Sequence, residues 1–271
     1  MQVEKAHAFY AAWLMTSNEA VQMVKTELEM PRGKCDARLF GLIQDPASPI
    51  VFVFMDAFGP RPVLYSICER LAGAGNRVIL PDLFYAHAPY RPLDPANLFS
   101  GGDDRQRLMT MLGNLDQVEL DNDVQTLLAF AETLPGSETP IAGVGYCMGG
   151  RFALTLAASS NRVRAAACFH ASALAPEQGP SAHLRLSGTK ARIYVGMAGN
   201  DPTFDSAEAA RLAASFRDGE VDYVLENYAG AMHGFAMADL PAFSTTATVR
   251  HWERLEALLE GVLGGTSDQL G

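Results

Sequence analysis

The segment Gly145-Tyr146-Cys147-Met148-Gly149-Gly150 constrains this chain more than any other part of its 271 residues. A strand-like run, Pro140-Ile141-Ala142-Gly143-Val144, leads into it, and a helix-like run from Arg151 to Ala158 leads out. A strand that turns sharply into a helix holds the apical residue, here Cys147, on a strained and accessible point, the arrangement called a nucleophile elbow. Glycines suit such a turn because neighbouring backbone comes close enough to exclude side chains. The thiol would then stand at a helix N-terminus, where free N–H groups and the helix dipole favour the thiolate. The bland alternative is a small buried residue in a glycine-rich turn. Strand and helix context, with suitable partners downstream, favours a nucleophile.

Two phosphate-binding motifs nearly overlap this segment and both fail. A dinucleotide fingerprint started at Gly143 and Gly145 ends on Met148, where close helix–strand contact wants glycine or alanine. A phosphate loop started at Gly145 reaches Gly150 and then meets Arg151 and Phe152, losing its lysine and its hydroxyl. The six histidines (7, 87, 170, 183, 233 and 251) form no ligand-spaced pair, so no metal and no cofactor is expected.

Strand-like runs fall at 25–29, 36–42, 50–55, 77–80, 140–144, 164–169, 192–196 and 221–227. Helix-like runs fall at 63–74, 116–134, 150–159, 205–216 and 244–263. Alternation of this kind, with wholly apolar strands such as Ile50-Val51-Phe52-Val53-Phe54, predicts an α/β fold with a mainly parallel sheet and helices on both faces. Residues 23–271 read as one domain. Residues 1–22 read as an N-terminal extension, either an accessory helix or an upstream start. The long irregular stretch from Pro81 to Asp104 is suited to wall or cover a pocket.

A formal charge of -10 argues against a nucleic-acid partner. No apolar run is long enough for a membrane span, and Ala8 to Met15 lacks a cleavage site, so no membrane partner and a cytoplasmic location are expected. The four cysteines show no framework spacing. Cys68 and Cys168 read as buried thiols, while Cys35 is left open. Nothing in the pattern chooses between a monomer and a small homo-oligomer.

In a sheet of this kind the acid and the histidine follow the nucleophile in chain order. Asp201 stands in the loop behind the strand Arg192-Ile193-Tyr194-Val195-Gly196 and is the expected acid. Its local rival, Asp205, sits where a helix N-cap belongs. His233 follows the strand ending near Tyr228, among small residues; the later His251 lies in the terminal helix.

These residues resemble the dienelactone hydrolase family of the α/β-hydrolases. The resemblance rests on the Gly-Tyr-Cys-Met-Gly-Gly elbow, Gly199-Asn200-Asp201 and His233-Gly234-Phe235. It continues in Met55-Asp56-Ala57-Phe58-Gly59 and Pro81-Asp82-Leu83-Phe84, and spans roughly residues 25–263. It implies a Cys147, Asp201, His233 triad and an oxyanion hole built from the backbone N–H groups of Ala57 and Met148. It also implies that Asp56 stands where the family's dienelactone-cleaving members carry a glutamate that restrains the thiol; aspartate is one methylene shorter. The two arginines that hold the substrate carboxylate in those members fall here on Ala86 and Met237. Arg61, Arg91 or His87 are the candidate replacements.

The expected partner is therefore a small ester or lactone. The expected pocket residues are Phe58, Phe84, Tyr85, His87, Tyr90, His170, Phe235 and Met237, a mostly apolar set near strand ends. Two rival readings share the site: a hydrolase-like protein that binds a small molecule without turnover, and a thioesterase or acyltransferase.

Overall fold

The computed structural model describes residues 21–91, 93, 103–136 and 138–263. The extension expected over 1–22 lies outside these residues except for Val21 and Gln22, as does part of the 81–104 stretch. Eight strands form one sheet: β1 (Met23–Met30), β2 (Gly33–Phe40), β3 (Ile50–Phe54), β4 (Arg77–Pro81), β5 (Ile141–Tyr146), β6 (Val163–Phe169), β7 (Arg192–Asn200) and β8 (Tyr223–Met232). Their spatial order is β1-β2-β4-β3-β5-β6-β7-β8. β1 and β2 form an antiparallel hairpin, β2 joins β4 antiparallel, and every pair from β4 to β8 is parallel.

Each residue of β3, β4 and β5 is buried, so alternating side chains meet cover on both faces of the sheet. The helices are α1 (Pro62–Gly73), α2 (Asp103–Gly113), α3 (Gln117–Thr133), α4 (Gly149–Ser159), α5 (Ser206–Asp218) and α6 (Thr245–Leu263), of which α1, α4 and α6 pack directly on these three strands. Helix starts follow local chemistry. Pro62 opens α1, where a missing N–H costs nothing, and the carboxylates of Asp116 and Asp205 accept from the amides of Glu119 and Glu208. Asp205 is thus the N-cap expected of it. Among the described residues no helix is long and apolar enough to cross a membrane.

Two differences from the sequence reading bear on function. Helix α2 falls at the end of the stretch read as irregular, because it is strongly polar and buries only Asp104, Leu108 and Met111. Its signal is a spacing of four and three residues, carried by too few apolar side chains to stand out. β7 and β8 also run further than expected, to Asn200 and Met232, and stay paired through a register shift between Ala198 and Asn200. Small residues allow this: a Cβ on Gly199 would lie 2.8 Å from the Tyr228 carbonyl oxygen. Asp201 and His233 therefore leave the sheet side by side, directly from the ends of paired strands.

Candidate active site

The elbow between β5 and α4 is built by three close approaches. A Cβ on Gly145 would lie 2.1 Å from the Gly149 carbonyl oxygen, one on Gly149 2.4 Å from the Phe54 carbonyl oxygen, and one on Gly150 2.4 Å from the Ala171 Cβ. Such separations are closer than any side chain tolerates, so the elbow can press against β3 and the loop after β6 only with glycine at these positions. Cys147 adopts φ +54, a left-handed conformation rarely held by a residue with a side chain. Its amide donates to the Phe169 carbonyl at 3.2 Å, and its carbonyl accepts from Gly150 at 3.1 Å, which holds the strained turn. Cys147 is partly exposed, whereas Cys35, Cys68 and Cys168 are buried.

His233 and Asp201 meet as the paired strand ends require. Nδ1 of His233 lies 2.7 Å from Oδ2 of Asp201, whose side chain is 1% exposed. The other carboxylate oxygen accepts from the Thr203 hydroxyl at 2.7 Å and the Thr203 amide at 2.9 Å. The same hydroxyl lies 3.2 Å from His233 Nδ1. Thr203 was not among the expected site residues, although Asp201-Pro202-Thr203 is the kind of sequence in which an aspartate binds the amide two residues on. The Cys147 sulfur is near enough to the His233 ring to act on its titration. Burial opposes a charged imidazole, but the bond to Asp201 and the proximity of Cys147 and the Asp201 charge outweigh it, raising the His233 pKa to about 10. Burial by itself would raise the Asp201 pKa; the bond to His233, then its charge and Thr203, bring it below the ordinary carboxylate value.

The Ala57 amide follows β3 and the Met148 amide precedes α4. Among the described residues neither donates a backbone hydrogen bond. Asp56, expected as a candidate restraint on the thiol, is engaged elsewhere. Its Oδ1 accepts from Arg61 Nη1 at 2.5 Å and from the Phe58 amide at 3.0 Å, and its Oδ2 accepts from Arg61 Nη2 at 2.9 Å. The short side chain of a buried aspartate meets the guanidinium five residues on, which satisfies both of its oxygens. Arg61 in turn donates from Nε and Nη2 to Asp239, at 2.6 and 3.1 Å. Arg61 is therefore saturated by two carboxylates rather than poised as a free cation. Arg91 is paired with Asp104 at 2.5 Å and is 63% exposed. His87 ends a short 3-10 turn, Tyr85–His87, and is partly exposed.

The expected pocket residues divide sharply. Phe235 and Met237 are wholly buried beneath the histidine loop, and Phe84 is buried with its ring edge-on to Tyr90. Tyr85 points away: its hydroxyl donates to Asp123 at 2.5 Å, and Arg32 binds the same carboxylate at 2.9 Å. These four belong to the core, because apolar side chains at strand ends bury themselves before they line anything. Phe58 and Tyr90 do line a cavity of about 290 Å³, with Asp36, Arg38, Asp82 and Pro89 among its other walls. That cavity lies on the β2 side of the Phe58 loop, and Cys147 and His233 are not among its walls.

His170, also expected at the pocket, is buried at φ +38, with its ring 5.4 Å from His233 and 5.2 Å from Phe235, each edge-to-face. Burial, then the charge of His233, holds its pKa well below the ordinary value, so it packs as a neutral ring under the catalytic histidine candidate. His251 has a different place. Its Nε2 lies 3.0 Å from the Tyr146 hydroxyl beneath the elbow, and its ring centroid is 4.1 Å from that of Phe169. Burial brings its pKa down to about 3, so it is a neutral support for the elbow.

A mainly parallel sheet with a strained cysteine elbow, an aspartate after β7 and a histidine after β8 defines the α/β-hydrolase class. The sequence model of the Dienelactone hydrolase family matches residues 36–263, so the chain belongs to that family and is a carboxylic ester hydrolase. Carboxymethylenebutenolidase of Pseudomonas sp. (strain P51) is 30% identical over 74% of this chain and 79% of its own length. Carboxymethylenebutenolidase 1 of Cupriavidus pinatubonensis is 35% identical, in a match that spans 42% of this chain and about half (47%) of that protein. A solved dienelactone hydrolase-like promiscuous phosphotriesterase from metagenomic libraries superposes with a TM-score of 0.72 at 22% identity, covering 90% of this chain and 99% of the other. At that identity the superposition speaks for the fold alone.

Proposed function

We propose that this protein hydrolyses a small, neutral ester or lactone by acyl transfer to the sulfur of Cys147. The observation behind this reading is the Asp201–His233 pair standing near a strained, partly exposed Cys147. Asp201 occupies Nδ1 at 2.7 Å, which frees the opposite ring nitrogen to serve the thiol. In the first half-reaction the thiolate attacks the carbonyl carbon, a C–S bond forms, and the Ala57 and Met148 amides receive the oxyanion. The tetrahedral adduct collapses, the C–O bond breaks, and His233 gives its proton to the departing alkoxide. Neutral His233 then takes a proton from water, the hydroxide attacks the thioester, and the acid leaves as sulfur recovers its electron pair.

The arginine positions support a neutral substrate. Ala86 and Met237 occupy the positions where a substrate carboxylate would meet arginine, Arg61 is committed to Asp56 and Asp239, and Arg91 to Asp104. A carboxylate taken out of water without a cation costs several kcal/mol. A dienelactone, which carries one, is therefore a poor substrate in this proposal. The test is hydrolysis of short-chain aryl esters by the wild type and by Cys147→Ala, with a dienelactone run in parallel. Turnover that survives the substitution, or is absent from both proteins, ends the proposal. Equal kcat/KM on the dienelactone and on a neutral ester ends its substrate clause.

A further inference from the structure

Arg61 stands between two loops that the proposed chemistry needs in fixed relation. One is Asp56–Pro60, which carries the Ala57 amide. Arg61 touches it three times: a two-point bond to the Asp56 carboxylate, a bond from Nη1 to the Gly59 carbonyl at 3.3 Å, and a position 5.3 Å from the centre of the Phe58 ring. The other is the turn after β8, which begins at His233 and reaches Asp239, 178 residues from Arg61 in sequence. The planar fork of the guanidinium makes both engagements at once, presenting one edge to Asp56 and the other to Asp239. The Asp56 end is dry, with side chains 14% and 3% exposed, whereas Asp239 is 38% exposed and closes the bridge at the rim. No other side chain among the described residues is hydrogen-bonded to both loops.

We propose that Arg61 is a positioning residue: it locks the Ala57 loop to the His233 loop and so sets the oxyanion amide and the imidazole in register around Cys147. This deepens the acyl-transfer reading and rests on it. A shift of an ångström between such groups is enough to slow a reaction by about a hundredfold, so a bridge that removes this freedom acts on rate rather than on substrate affinity.

Two reactions of the same sulfur separate positioning from mere folding. Alkylation by iodoacetamide displaces iodide at a saturated carbon and develops no oxyanion. Acylation by p-nitrophenyl acetate forms a C–S bond, expels p-nitrophenolate and does develop one. Arg61→Lys keeps a cation beside buried Asp56 but loses the fork, and Asp239→Asn leaves the Asp56 pair intact. We expect Arg61→Lys to slow acylation and kcat by roughly 10–100-fold, with KM and the alkylation rate within about twofold of wild type. For Asp239→Asn, at the exposed end, we expect a smaller fall of about 2–5-fold. Acylation unchanged in both variants overturns the proposal, as does a parallel loss of acylation and alkylation. A rise in KM confined to carboxylate-bearing esters overturns it too and assigns Arg61 to substrate instead. A wild type that alkylates but never acylates at Cys147 refutes the acyl-transfer reading itself, and is seen before any variant is made.

Discussion

His233 and Asp201, which lie 32 residues apart, bring Nδ1 and Oδ2 to 2.7 Å because β7 and β8 remain paired to their very ends. In the proposed reaction the carboxylate fixes the tautomer of the ring and faces the charge that the ring acquires. Asp201→Asn keeps the shape and loses the charge. Its kcat on an aryl ester should fall by roughly 10²–10⁴-fold with KM little changed, on the precedent of triad acids. Steady-state kinetics on the purified variant decide this, and a loss below tenfold would mean that Asp201 is only a turn residue.

The raised His233 pKa carries a consequence for stability. The folded pKa lies above the unfolded one, near 6.5. The contribution is complete below about pH 6.5 and disappears as the pH rises through about 10. The Tm difference between wild type and His233→Gln should narrow over that window. A difference that widens would contradict the assignment.

Thiol accessibility makes a sharper prediction. Cys147 is the partly exposed cysteine, while Cys35, Cys68 and Cys168 have no exposed surface. Burial, with Asp82 nearby, pushes the Cys35 thiol up to about 12, and burial also raises the thiols of Cys68 and Cys168. Native protein treated briefly with iodoacetamide should gain one carbamidomethyl group, and denatured protein all four of its cysteines. Intact mass with peptide mapping reads this directly. Modification of a second cysteine at a comparable rate in the native protein would be the contrary result.

Glycine substitutions should separate close approach from simple flexibility. Gly145→Ala puts a methyl group 2.1 Å from the Gly149 carbonyl oxygen, in the middle of the sheet, and should cost more than about 3 kcal/mol or prevent folding. Gly261→Ala, in α6 with open space around it, should instead stabilise by about 0.5–1 kcal/mol. Urea unfolding of the two variants measures both values, and similar effects would refute the packing account.

Breaking the Asp56–Arg61 pair from one side should be costly. Arg61→Leu leaves a carboxylate in a dry place, and a loss of about 3–5 kcal/mol follows for a buried pair with one partner removed. The double variant Asp56→Ala, Arg61→Leu should recover much of that loss while remaining a poor catalyst. Thermal unfolding together with ester hydrolysis tests the two halves separately.

Local patterning alone was enough for the strands, five of the helices and the cysteine elbow. Apolar runs of strand length, helical repeats and tightly spaced glycines are properties of neighbouring residues, and they survive without any knowledge of what packs against them. Helix α2 escaped because its polar surface hides a thin apolar stripe, and Thr203 escaped because its role exists only once Asp201 turns back on it. What Asp56 binds, where Tyr85 points, and whether Phe235 and Met237 line a pocket or fill the core were set by contacts between segments far apart in the chain. A short carboxylate takes whichever cation the fold delivers, and here Arg61 lies within reach. The chain's own pattern pointed to the candidate nucleophile, acid and histidine; only the closing of one loop on another, through long-range ion pairs and exclusion of water, decided how such groups face each other.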